Sequence, residues 1–184
     1  MNTKIFEKLF LADDKTRNAV LTICETDTPL VSVLTLHLTC ENFLEAFISA
    51  HLNIEDLFAE KPENINDVRF RMSFEHKNKL AQRLGMPKQA YDAFCHIDQI
   101  RNQFAHKLLH AEIPADRINK LCTLIDSIRS SEQELKLEDE GIHYSPSNAK
   151  KTFTYRMSDP DIPQTLKLCI TYFSLIRRVS MMYQ

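Results

Sequence analysis

Arg101, Asn102 and His106 stand within one run, DAFCHIDQIRNQFAHKLL, from Asp92 to Leu109. By type, a guanidinium can hold an oxyanion through paired N–H donors, and an imidazole can exchange a proton near neutral pH. A carboxamide beside them can orient either one by hydrogen bonding. At about 100° per residue, Ala90, Phe94, Ile97, Phe104, Ala105 and Leu108 fall within about 60° of Arg101, which therefore stands amid the apolar stripe of an amphipathic helix. A fixed charge so placed must be paired, reach out along its stem, or belong to a site. Asn102 lies about 100° and His106 about 140° round from it, so these two are neighbours on one flank. Arg101 and His106 can share a pocket if the helix ends or distorts near Ala105, or if the same motif of a second subunit completes the site.

The elements that must carry this run read as helices. Two glycines in 184 residues are too few for most sheet-rich folds, whose turns need them. Short amphipathic helices fit residues 3–11 and 14–25. Thr28 is placed to cap, and Pro29 to open, the helix TPLVSVLTLHLTCENFLEAFISAHL. Its apolar stripe is Val33, Leu36, Cys40, Phe43, Leu44 and Phe47, edged by a polar ridge of His37, Glu41 and Glu45. Residues 53–72 break the pattern and read mostly as loop. Ser73 then caps FEHKNKLAQRLG, Gly85 ends it, and Pro87 opens the arginine-bearing helix. A further helix is expected from Pro114 to about Leu135, with Ile118, Leu121, Cys122, Ile125 and Ile128 facing inward. Residues 136–162 are the least regular part, a surface excursion, or else a lid or docking segment. Alternating Phe153, Tyr155 and Met157 suggest one edge strand there. A closing helix runs from Pro163 to about Met182. The expected fold is all-α, an up-down bundle of five to six helices in one domain over 1–184, its core at about 28–180.

Apolar content of 43% and charged content of 26% are ordinary for a soluble globular protein. The amino terminus, MNTKIFEKLFLADDK, has charges every few residues and reads as neither signal peptide nor spanning helix. PLVSVLTLHL is far short of a bilayer span. Five cysteines (24, 40, 95, 122 and 169) lack any CxxC and suit free thiols in a reducing cytoplasm. Charge is unevenly spread. Residues 1–68 hold 5 Lys/Arg and 12 Asp/Glu, residues 69–120 hold 10 and 5, and residues 121–184 hold 8 and 8. The basic excess thus sits on the segment containing Arg101, as a solvated lysine-rich face or as a phosphate-attracting surface.

RNQFAH resembles the Arg-x4-His signature of the HEPN superfamily, in which a polar residue, often Asn, follows the arginine. The order of elements, with CENFLEAF on a long helix, then SFEHKNKLAQRLG, then the motif helix, is similar to the mannitol-operon repressor family and related bacterial proteins. The resemblance covers roughly residues 28–180. It implies one of two functions. The first is a metal-independent endoribonuclease acting on single-stranded RNA, a toxin or phage-defence effector that is usually a dimer. In it the RNA 2′-hydroxyl attacks the adjacent phosphate, leaving a 2′,3′-cyclic phosphate and a 5′-hydroxyl. His106 would move the proton, Arg101 would grip the phosphate and offset its developing charge, and Asn102 would orient either. The second is a non-catalytic regulatory or protein-interaction module, with Arg101 paired to Glu41 or Glu45. HEPN toxins controlled by nucleotidyl transfer from an antitoxin often carry a tyrosine two residues after the histidine. Leu108 stands there, which argues against that control.

Other constellations are weaker. His106 with His110, and His37 with Cys40, have spacings seen in zinc sites but no partner set, so neither metal nor cofactor is expected. Cys95 and His96 adjoin but point about 100° apart, which disfavours a nucleophilic pair. Glu41 and Glu45 as paired catalytic carboxylates give way to a supporting role beside Arg101. Arg69 and Arg71, in RFRM, and Lys107 next to the motif are the remaining candidates for RNA-backbone contact, Arg69 and Arg71 also reading as a solvated loop edge. No helix is shaped for the major groove. The expected partners are RNA, a second copy of the chain, and an antitoxin or other protein, with no membrane.

Overall fold

The computed structural model describes residues 1–12, 14–26, 28–55, 57–59, 71–106, 112–128, 136–145 and 152–183, without the side chains of 14–17, 20 and 106. Helix α1 (Thr3–Phe6) widens into a π-helical turn over Glu7–Leu11, and α2 (Asp14–Glu25) follows. Pro29 opens α3 (Pro29–Leu52), whose final turn closes on Asn53 in the left-handed region. Thr28 occupies the capping position, but its hydroxyl makes no cap bond. The Ser73 hydroxyl accepts from the His76 amide at 3.3 Å and starts α4 (Phe74–Arg83). Gly85, at φ +112°, lets the chain turn out of α4 and into α5 (Lys88–His106).

The core is built around α3, which packs against α1, α2, α4, α5 and α7 (Gln164–Met181). Phe43 at its centre meets the rings of Phe6 and Phe10 edge-on and that of Phe94 nearly parallel. All six residues of the expected α3 stripe are buried. By length and composition α3 could cross a membrane, since PLVSVLTLHL continues into one long helix. Most of its apolar window is buried within the bundle.

Two expectations are corrected. The helix after Pro114, α6 (Ala115–Asp126), stops well before Leu135. Arg178, 1% exposed, donates from Nη1 to the carbonyl oxygens of Ile125 at 2.7 Å and Ile128 at 3.4 Å. These are acceptors that a longer helix would use for its own ladder. Residues 129–135 lie outside those described. The chain is also mainly rather than wholly α. After a 3₁₀ turn over Leu137–Asp139, β1 (Gly141–Tyr144) pairs antiparallel with β2 (Phe153–Arg156), with Gly141 opposite Arg156 and Tyr144 opposite Phe153. The single edge strand expected from Phe153, Tyr155 and Met157 is thus one arm of a hairpin. Met157 falls in the turn after it, its amide held by the Glu140 carbonyl at 2.8 Å.

Candidate functional site

Arg101 sits one step off the position the wheel gave it. The buried residues of α5 are Ala90, Ala93, Phe94, His96, Ile97, Ile100 and Phe104. Their centre lies about 60° from Arg101, away from Asp98 and Asn102. Arg101 therefore stands at the rim of the core, half-buried, and Ala105 beside it is exposed. That is where a long cationic stem can pack while its head leaves the apolar interior.

The head is held by polar neighbours in sequence. Nη1 of Arg101 donates to Oδ1 of Asn102 at 2.8 Å, and Nδ2 of Asn102 donates to Oδ2 of Asp98 at 3.1 Å, one helical turn back. The other oxygen of Asp98 bonds Nε2 of His37, on α3, at 3.0 Å. His37 is buried, with the Phe74 ring 4.3 Å from its own. Burial holds its pKa below the ordinary 6.5, against the pull of Asp98. One chain of hydrogen bonds thus joins His37, Asp98, Asn102 and Arg101 across α3 and α5. Nε of Arg101 is buried and has no partner among the described residues.

Glu41 and Glu45, the expected acidic partners of Arg101, are engaged elsewhere. Lys77 of α4, nearly buried, donates to Oε1 of each at 2.5 Å. Burial opposes the ammonium, but the two carboxylates outweigh it and raise its pKa. Among the described residues Arg101 has no carboxylate partner. The buried, ion-paired arginine of this fold is Arg178, bonded to Asp126 at 3.0 Å and Glu140 at 3.2 Å.

Helix α5 is continuous through His106, so no break at Ala105 brings positions 101 and 106 together. The His106 side chain, Lys107, Arg69 and His110 lie outside the described residues. Arg71 is exposed ahead of α4. His37 turns to Asp98 while Cys40 is fully buried, so those two form no pair. Among the described residues no group of three His, Cys, Asp or Glu is placed to hold a metal. Burial raises the Cys95 thiol, and the amide of Asn78 approaches it at 3.4 Å, which suits packing better than nucleophilic attack. All five cysteines are free. A cavity of about 440 Å³ between α2, the hairpin and the start of α7 is lined by Cys24, Tyr144, Tyr155 and Gln164 and includes no motif residue.

The sequence reading missed Asp98 and Lys77. Asp98 carries a local signal, standing four residues before Asn102 on the same flank. Lys77 carries none, because only the packing of α4 on α3 brings it to the glutamates. Compared with protein-family models, with curated proteins and with solved structures, the chain has no significant match.

Proposed function

We propose that this chain is a metal-independent endoribonuclease of the HEPN type that cleaves single-stranded RNA, with Arg101 as phosphate grip, Asn102 as its orienting neighbour and His106 as proton carrier. The observation that carries the reading is the state of Arg101. Its guanidinium is half-buried and fixed through one nitrogen by Asn102, and among the described residues it meets no carboxylate and its buried Nε has no partner. The pairing of Arg101 with Glu41 or Glu45 that would suit the regulatory reading is absent among the described residues, where Lys77 holds both carboxylates.

In this mechanism the phosphodiester meets the surface side of the half-buried guanidinium, since Nε itself is buried. The imidazole of His106 takes the proton of the 2′-hydroxyl, whose oxygen attacks phosphorus. The P–O5′ bond breaks, the departing oxygen takes a proton from the imidazolium so formed, and Arg101 stabilises the charge that grows on the phosphoryl oxygens. Positions 101 and 106 are five apart on an unbroken helix, so the mechanism takes His106 from a second copy of the chain. The toxin or defence role and the antitoxin partner rest on the same reading.

An exposed apolar stripe on α3 favours the second reading, a protein-interaction module. Val31, Leu34 and Leu38 follow helical spacing on one face, and Leu38 is 60% exposed.

The test is incubation of the purified protein with unstructured RNA in EDTA, with the product ends read chemically. Cyclic-phosphate ends that vanish with His106→Ala and Arg101→Ala support the nuclease. Intact RNA, or cleavage that survives His106→Ala, refutes it.

A further inference from the structure

We infer that His37 is a positioning residue of the Arg101 site, acting through Asp98 and Asn102 to fix the orientation in which the guanidinium meets a phosphodiester. The inference rests on the reading of Arg101 as a phosphate grip and assigns to that site a residue from another helix.

A guanidinium beside a carboxamide can offer either of two edges, and which one is offered depends on how the carboxamide is turned. Asn102 is turned with its oxygen toward Arg101 and its nitrogen toward Asp98. The turn holds only while Asp98 stays put as an acceptor. Asp98 in turn is anchored at its second oxygen by Nε2 of His37 at 3.0 Å. His37 is itself immobilised, buried on α3 with the Phe74 ring 4.3 Å away. The rigid end of the chain is therefore the imidazole, and the working end is the guanidinium. Held at Nη1 by Asn102, and with Nε buried, the guanidinium is fixed in one orientation.

The charged groups around His37 fit this role. Asp98 and Arg101 face it from α5 and Glu41 from its own helix. From α4 come the Phe74 ring and, one turn on, Lys77, which Glu41 and Glu45 hold. Burial keeps the imidazole neutral at neutral pH, so it can give Asp98 a hydrogen bond from Nε2 without cancelling the carboxylate charge that holds Asn102. Protonation in acid adds a positive charge near Arg101 and so strengthens the attraction for a phosphodiester.

The test measures binding rather than cleavage, using a fluorescent single-stranded 2′-deoxyoligonucleotide, which lacks the attacking hydroxyl. The parent is His106→Ala, so that the motif histidine does not contribute to the pH profile. Adding His37→Leu removes the donor and is expected to weaken binding about fivefold, the scale of one lost hydrogen bond. His37→Gln can place an amide N–H where imidazole Nε2–H now lies. It is expected to restore affinity at neutral pH to within about twofold while losing part of the tightening seen in acid. Circular dichroism checks that the leucine variant folds, and the glutamine variant keeps the test alive if it does not. Leucine binding like the parent, or glutamine binding as weakly as leucine, overturns the inference. Arg101→Ala separates this from the wider reading. If that change leaves binding intact, the phosphate grip itself fails. If it abolishes binding while both His37 variants retain it, only the role of His37 fails.

Discussion

The guanidinium of Arg101 is held by the side chain of the residue that follows it, Asn102, at 2.8 Å. Arg178 is instead fully buried and meets Asp126, Glu140 and two backbone carbonyls. The two arginines therefore differ in what their loss does to stability. Arg101→Ala breaks one side-chain hydrogen bond at the rim and is expected to lower the unfolding free energy by about 1 kcal/mol in urea titration. Arg178→Ala leaves Asp126 without its cation and the open end of α6 without its donor, while Glu140 keeps Arg177 and Ser174, and is expected to cost about 3–5 kcal/mol. A loss at Arg101 as large as that at Arg178 would mean a structural ion pair there and undercut the phosphate grip.

Lys77 sits between Glu41 and Glu45 with its own side chain almost wholly covered. Lys77→Met is expected to destabilise by about 2–4 kcal/mol, since it leaves two partly buried carboxylates side by side without a cation. Adding Glu41→Gln and Glu45→Gln should return much of that loss. Denaturant melts of the single and triple variants measure both, and a triple variant no better than Lys77→Met would show the loss to be one of packing.

Gly141 opens β1 where a Cβ would lie 2.4 Å from the carbonyl oxygen of Tyr155 on the facing strand. Backbone cannot swing aside as a side chain can, so Gly141→Ala must spread the hairpin. A cost of about 1–3 kcal/mol is expected by thermal melting, with helix content in far-ultraviolet dichroism unchanged. An alanine variant as stable as the parent would show that the hairpin is not held at this register.

How much of this was legible beforehand depends on the range of the interaction that decides each feature. The start and stop of α4 are written locally, in Ser73 three residues before the amide it caps and in Gly85 at the turn. The inward face of α3 follows from its own spacing. The placement of Arg101 needed more, because α4, α6 and α7 decide which part of α5 is covered. They cover Ala93 and Ile100, shifting the buried face until the arginine lies on its edge. Arg178, in the run LIRRVS, gave no local sign of ending another helix, since its acceptors come from α6, some fifty residues earlier. The sequence marks Glu41 and Glu45 as a polar ridge and assigns them to Arg101. Helix packing chose Lys77 over Arg101.

Acid should loosen the fold, and the histidines give the sign. His37, His51 and His96 all have pKa values lowered from 6.5, in each case chiefly by burial. An unfolded chain therefore binds protons at these positions more readily than the folded one, and stability rises with pH wherever that difference holds. The contribution is complete above the unfolded value of 6.5 and is lost as pH falls below it toward the lowered folded values. His96 adds a buried Nδ1 with no partner to bond, so charging it gains nothing locally. Urea midpoints taken stepwise from neutral pH downward should fall through this window before carboxylates begin to titrate. Replacing His96 by Gln should flatten the slope there. A midpoint that is constant down to the carboxylate range would show that the three imidazoles titrate as they do in the unfolded chain.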